Sequence, residues 1–505
     1  MDGSLFGLIR SRIEDPAADF LVEPDGARLS YGGLLERSGR LANLFVRLGV
    51  RPGDRIAIQA EKSVDALLVY LATLRAGAVH LPLNPAYTLA EVRYFLADAE
   101  PALFIRRPGQ EAEMRALAAE LGVPRIETLG ADGGSLAAAA HEQPAEFDDV
   151  PRGAGDLAAI LYTSGTTGRS KGAMLTHGNL ASNAETLREA WRFTAADRLL
   201  HALPIFHTHG LFVATNTILL AGGSMLFLPG LDLDAILRLL PRATAMMGVP
   251  TYYTRLLARP DFTRALAAHM RLFVSGSAPL SVETHREFEA RTGHRILERY
   301  GMTETNMICS NPYDGPRVPG SVGPALPGVA VRIAEPATGA TLPRGEVGIV
   351  EVKGPNVFKG YWRMPGKTAE EFRPDGYFIT GDMGVMDEAG YVRIVGRAKD
   401  LIISGGLNVY PAEVEAAIEE LPGVAECAVI GVPHPDFGEG VVAVVTPRPG
   451  EPAPDEASIR AALRDTLAAF KQPKRVFLAD ALPRNTMGKV QKKVLRDRYA
   501  GTFVR

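Results

Sequence analysis

Between residues 34 and 105 the hydrophobic pattern switches repeatedly between two periods, and this alternation limits the chain to few folds. Leu34, Ser38, Leu41, Phe45 and Leu48 share one helical face, and Gly49 stands where that helix would stop. Arg55 to Ala60 reads as a strand, Val64 to Arg75 as a helix followed by Gly77, and Ala102 to Ile105 as another strand. Thr88 and Glu91 have the spacing of a capping box, in which two side chains satisfy free N–H groups at a helix start. Strand–helix alternation of this kind predicts an α/β chain with mainly parallel sheets covered by helices.

The pattern changes further along. Ala131 to Gly155 reads as a surface connection, helical around Ser135 to His141. A Gly/Pro-rich stretch, Asn311 to Gly328, leads into shorter β segments at Gly345 to Lys353 and Tyr391 to Val395, the mark of a small β-rich subdomain. After about Lys399 the chain reads as a compact α+β module. One helix carries Val414, Ile418 and Leu421, with Pro411 in its first turn. Ala425 to Val432, Gly440 to Val445 and Arg475 to Leu478 read as strands, and Ile459, Leu463 and Leu467 define a second helix.

Composition excludes several classes. A chain of 505 residues can bury several cores without disulfide or metal staples. Its formal charge of −3 gives no global field for nucleic acid or an anionic membrane. Cys309 and Cys427, the two cysteines of the chain, lie far apart in sequence and form no ligand cluster or disulfide framework, which fits a reducing compartment. The N-terminus carries Arg10, Arg12, Glu14 and Asp15 without an apolar signal core. The most apolar region, Leu199 to Gly230, is interrupted by His201, Pro204, His207, His209 and Gly222-Gly223, so it reads as core and not as a membrane span. The expectation is a cytoplasmic protein acting on small molecules, with no nucleic-acid or membrane partner.

The strongest local signal follows the apolar segment Leu157 to Tyr162. There Thr163-Ser164-Gly165-Thr166-Thr167-Gly168-Arg-Ser-Lys171-Gly172 combines hydroxyls, glycines and a terminal lysine. Glycines let backbone N–H groups surround phosphate oxygens, hydroxyls add donors, and the lysine adds a point charge. Lys171 is followed by glycine, so this is not a Walker A loop. Tyr300-Gly-Met-Thr-Glu304 offers a hard-oxygen ligand suited to Mg2+ shared with phosphates. Asp382, ending Tyr377 to Asp382, suits two ribose hydroxyls, and Lys489 follows a glycine turn in Pro483 to Lys489. Taken singly, each of these also reads as an ordinary polar turn or a solvated charge.

Together, and in this order, they resemble the adenylate-forming superfamily of acyl-CoA synthetases, nonribosomal-peptide adenylation domains and beetle luciferases. Gly396-Arg397-Ala-Lys399-Asp400 and Gly405-Gly406-x-Asn408-Val-Tyr410-Pro411-x-Glu413 extend the match over nearly the whole chain. The resemblance implies two αβαβα-type subdomains plus a small β-rich subdomain within residues 1–396, and a small mobile lid, 397–505, hinged near Lys399. It implies that Thr163, Ser164, Gly165, Thr166, Thr167, Gly168 and Lys171 would wrap the ATP phosphates. Thr303 would contact the α-phosphate, and Glu304 would hold Mg2+. Gly276, Ser277, Ala278 and Pro279, with Glu298, Arg299, Tyr300, Gly301 and Met302, would flank the adenine, while Asp382 and Arg397 would bind ribose. Lys489 would bridge the acid carboxylate and the α-phosphate, after which the lid would turn about Lys399 and bring Gly405 and Gly406 to the coenzyme A thiol. Lys489 also stands in the context of lysines that are acetylated in some relatives, so acetylation is an expected means of control.

His207, in Pro204 to Gly210, occupies the acyl-pocket segment, where amino-acid-activating relatives usually carry Asp. The stretches His207 to Phe212, Gly248 to Arg255, Arg271 to Leu280 and Tyr300 to Gly315 are similar to the malonyl-CoA synthetase branch. On that basis Arg255 would pair with the distal carboxylate of malonate or methylmalonate, with His207 and Ser277 nearby. Other readings are a synthetase for a short, branched or aromatic monocarboxylate, adenylation coupled to a carrier protein, and a nucleotide-binding regulator without turnover.

Overall fold

The Thr88 hydroxyl accepts the Glu91 amide N–H, and the Glu91 carboxylate accepts the Thr88 amide N–H, so helix Leu89–Ala99 opens on the expected capping box. Helix Val64–Arg75, capped by Ser63, is buried on every side, as its nearly continuous apolar sequence requires. A computed structural model describes residues 3–109, 111–130, 133–163, 170–404, 407–452, 454–464, 466–485 and 488–503.

Among these residues the strands form four sheets. In the seven-stranded sheet, strands Leu157–Thr163, Val79–Pro82, Arg55–Gln59, Leu103–Arg106 and Ile126–Thr128 run parallel, and Lys171–Thr176 and Gly360–Tyr361 close one edge antiparallel. The eight-stranded sheet has a parallel centre, Leu297–Met302, Leu272–Ser275, Ala245–Gly248, Arg198–His201, Ser224–Phe227 and Asp19–Val22, with antiparallel strands at both edges. One apolar cluster runs continuously through helices and strands of both sheets. This is the expected pair of helix-covered parallel sheets.

A four-stranded antiparallel sheet, Ala330–Ala334, Val347–Lys353, Phe378–Met386 and Val392–Arg397, forms the small β subdomain. The fourth sheet begins at Ile402 and belongs to a separate small C-terminal domain. Its paired strands Val424–His434 and Gly438–Pro447 alternate sides. Val429, Val441, Ala443 and Val445 pack on one face, and Ala428, Ile430, Val442 and Val444 on the other. Cys309 and Cys427 are buried free thiols in different sheets. No helix of the described residues is long and apolar enough to cross a membrane.

Candidate functional site

Each of the first three sheets, and the C-terminal domain, contributes side chains to one region. At the edge of the seven-stranded sheet, Thr163 lies opposite Lys171 in an antiparallel pair. Lys171 therefore opens a strand, where the sequence had read the end of a loop. Ser164, Gly165, Thr166, Thr167 and Gly168 lie outside the described residues. The Lys171 ammonium is 2.9 Å from Glu371 Oε1 and 4.1 Å from the centre of the Tyr361 ring. Tyr361 Oη in turn contacts Glu371 Oε2 at 2.9 Å and Glu304 Oε1 at 3.1 Å. Glu304 is 5% exposed, and burial pushes its carboxyl pKa up while Tyr361 and Lys171 favour the ionised form. Tyr361 and Glu371 carry no sequence motif, and they reach Lys171 from about 200 residues away in the chain.

The β subdomain supplies the second group. Asp382 and Arg397 are direct cross-strand partners, and Arg397 Nε lies 2.6 Å from Asp382 Oδ1. Tyr300 Oη donates to the other carboxylate oxygen, and the Asp382 amide donates to Thr380 Oγ1. Asp382 is thus held in place by its own surroundings. Gly301 begins the tight return of hairpin Leu297–Met302 and Asn306–Ser310. A Cβ there would lie 1.9 Å from the Asn306 carbonyl oxygen. Met302 pairs with Asn306, and Thr303 is half-buried in the turn beside Glu304. Glu298 accepts the Leu280 amide N–H and so tethers the loop of Gly276, Ser277, Ala278 and Pro279. Burial raises its carboxyl pKa to about 8.

Lys489 enters from the C-terminal domain. Its amide is held by Asn485 Oδ1 at 3.0 Å, and Gly488 lies against Thr251 at the start of helix Pro250–Leu257. Much of the residue is exposed, but its ammonium feels the charges of Arg397, Asp382, Glu304 and Arg299. Desolvation there, and then Arg397, lower its pKa, while Asp382 and Glu304 oppose the shift. A cross-domain ion pair, Arg448 to Glu283 at 2.5 Å, joins the two parts on another face. Lys399 is exposed in the short turn Ala398–Asp400 between the third and fourth sheets, and Gly405 and Gly406 lie outside the described residues.

The third group surrounds Arg299. The residue is 3% exposed, and neither Nε nor Nη2 has a hydrogen-bond partner among the described residues. Burial pushes its pKa down to about 9, which still leaves it cationic near neutral pH. A Cβ on Gly276 would fall 2.4 Å from Arg299 Cζ, so the absent side chain makes room for the guanidinium. The field of Arg299 also acts on His207 and His209. His207 is pushed down to about 3, first by desolvation and then by Lys489 and Arg299, so it is a neutral imidazole. Its Nδ1 accepts the His209 amide N–H at 3.2 Å, which places the ring proton on Nε2 as a free donor. His209 is fully buried, with Nδ1 3.2 Å from Ser277 Oγ, and Ser277 holds the left-handed backbone φ of 73°. A non-glycine residue in that region is strained, and such strain concentrates at functional loops.

Arg255 stands on helix Pro250–Leu257. The helix buries Tyr252, Tyr253, Leu256 and Leu257, and Arg255 falls on the exposed side. That is the side of Thr251, one turn earlier, which meets Gly488 next to Lys489. The buried guanidinium of this group, with donors unpaired among the described residues, is that of Arg299. The signal was in the sequence: strand alternation in Leu297–Met302 puts Glu298 and Tyr300 on one face and Arg299 on the other.

Comparison with known proteins gives one consistent result. The AMP-binding enzyme profile matches residues 10–362, and the profile of the AMP-binding enzyme C-terminal domain matches residues 413–489. A malonate–CoA ligase from Arabidopsis thaliana is 35% identical over 94% of this chain and 85% of its own length. A feruloyl-CoA synthase from an Amycolatopsis species is 39% identical over 95% of each. The crystal structure of ATP-bound MatB from Rhodopseudomonas palustris is 59% identical, covers 100% of both chains and superposes with a TM-score of 0.97.

Proposed function

The chain belongs to the AMP-binding enzyme family, and on that premise we propose that it is an ATP-dependent malonate–CoA ligase, with methylmalonate as a related substrate. The observation that carries the choice of acid is Arg299. A buried guanidinium with unpaired donors is costly unless an anion meets it. A dicarboxylic acid presents one carboxylate for the reaction and a second for Arg299, with the His207 Nε2 donor and Ser277 beside it. The 39% identity to a feruloyl-CoA synthase supports an aromatic acid as the second reading. A monocarboxylate of that kind leaves Arg299 without its counter-ion.

The chemistry follows from the charges. A carboxylate is a poor acyl donor because its leaving group is oxide. One oxygen of the acid attacks the α-phosphorus of ATP, the bond to pyrophosphate breaks, and an acyl-adenylate forms. That step brings anionic groups together. Lys489 holds the reacting carboxylate against the α-phosphate, with Thr303 on the same phosphate, and Lys171 and the 163–168 loop hold the β- and γ-phosphates. Asp382 and Arg397 fix the ribose, and the loop of Ser277, Ala278 and Pro279, with Glu298, Tyr300, Gly301 and Met302, borders the adenine. Glu304 is a buried hard-oxygen ligand suited to Mg2+, which, when bound, supplies charge neutralisation on the phosphate oxygens. In the second step the coenzyme A sulfur attacks the acyl carbon, the bond to AMP breaks, and the thiol proton is released. Residues 397–505 turn about a hinge near Lys399 between the steps, withdrawing Lys489 and presenting Gly405 and Gly406.

The test is pyrophosphate release over a panel of malonate, methylmalonate, butyrate and ferulate, with and without coenzyme A. Malonate is expected to give the highest kcat/KM, and ferulate in first place would overturn the assignment. Gly276→Ala tests the same pocket. The added methyl pushes the Arg299 guanidinium aside, and the malonate-to-butyrate preference is expected to fall about tenfold. An unchanged ratio would show that the guanidinium does not select the acid.

A further inference from the structure

Lys62 takes no part in the chemistry above, yet its amine is set between two sheets, where burial holds its pKa well below the usual lysine value. It follows strand Arg55–Gln59 of the seven-stranded sheet. Its Nζ lies 2.9 Å from His201 Nδ1 and 2.8 Å from the His201 carbonyl oxygen, at the end of strand Arg198–His201 in the eight-stranded sheet. The Phe227 ring centre is 4.2 Å from the same nitrogen. Lys62 also lines a cavity of about 410 Å3, together with His80, Pro204, Phe206 and Tyr252.

His201 carries the contact onward. Its Nε2 lies 2.9 Å from the Gly210 carbonyl oxygen. A carbonyl only accepts, so Nε2 bears the ring proton of this neutral imidazole. Nδ1 is then an acceptor, and only a donor such as Lys62 satisfies it. Thr215 Oγ1 donates to the same carbonyl at 2.9 Å. Gly210 is the second residue of the π-helical turn His209–Asn216, a rare conformation that concentrates at functional sites. A Cβ at Gly210 would lie 2.1 Å from the Pro204 carbonyl oxygen, so the turn sits directly on the segment leading to His207.

We infer that Lys62 is a positioning residue of the acid site: through His201 and the Gly210 carbonyl it fixes the π-helical turn that holds His207 and His209 beside Arg299. Among the described residues, Lys171, Asp382 and Arg397, which the proposed function assigns to the nucleotide, share no hydrogen bond with this chain of groups. Removing Lys62 therefore acts on the acid and spares ATP. The inference rests on the acid site proposed above but not on the acid being malonate.

The experiment compares Lys62→Met, Lys62→Arg, His201→Phe and the Lys62→Met/His201→Phe double variant by pyrophosphate release. Acid and ATP are varied separately, using whichever acid gives the wild-type enzyme its highest turnover. Methionine is close to lysine in length and apolar, so it suits the space over Phe227. Lys62→Met is expected to raise KM for the acid about tenfold, with KM for ATP unchanged. Lys62→Arg, which keeps the donors, should recover most of the loss. The double variant should be no worse than the worse single variant. Parallel rises in both KM values, additive single effects, or an arginine variant as impaired as methionine would each overturn the assignment. If malonate fails for the wild-type enzyme, the proposed function falls while this comparison still reads out on the preferred acid.

Discussion

Lys489→Ala is expected to reduce pyrophosphate release with ATP and malonate by about 10²–10³-fold or more, while thioester formation from supplied malonyl-adenylate and coenzyme A stays near the wild-type rate. The first step brings an anionic carboxylate onto an anionic phosphate, and the Lys489 ammonium already feels the charges of Arg397, Asp382, Glu304 and Arg299. In the second step the reacting centre is a carbonyl carbon already joined to AMP, and the lysine's charge has no comparable task there. The comparison of the two half-reactions in one variant divides out any general loss of folded enzyme. The measurement is a pair of single-turnover rates, one for each half-reaction. Equal losses in both would contradict a domain that holds Lys489 at the site for one step and withdraws it for the other.

What could be read from the sequence was what local periodicity decides. Helix Val64–Arg75, the Thr88 capping box, helix Ser135–His141 and strand Arg475–Leu478 all follow from residues within a few positions of one another. Helix His177–Ala190 likewise opens on a capping box between Thr176 and Asn179. Features set by tertiary packing stayed hidden. The turn His209–Asn216 has an ordinary apolar sequence, and the close fit of Gly210 to Pro204 and its contact with His201 come from the fold. The brace on Lys171 and Glu304 comes from Tyr361 and Glu371, which only the completed sheet edge brings near. Arg255 and Arg299 show the same limit within a single site. Both are arginines in segments of the family pattern, and only burial separates a solvated side chain from a desolvated one.

That separation makes Arg299→Met the sharpest test of the substrate. Truncating one member of a buried, hydrogen-bonded charge pair costs roughly 2–5 kcal/mol, so kcat/KM for malonate is expected to fall about 10²–10³-fold. Butyrate should respond differently. In the wild-type site it must leave the guanidinium buried without a counter-ion, and methionine removes that cost, so butyrate is expected to hold its rate or gain. The quantity to measure is therefore the ratio of kcat/KM for malonate and butyrate, which divides out any general loss of active enzyme. Arg255→Ala removes an exposed cation and should move the ratio far less. A ratio left unchanged by Arg299→Met, or one that follows Arg255 instead, would mean that the distal carboxylate is held elsewhere. In that event the unpaired donors of Arg299 would face the reacting carboxylate, and the loss would fall equally on every acid in the panel.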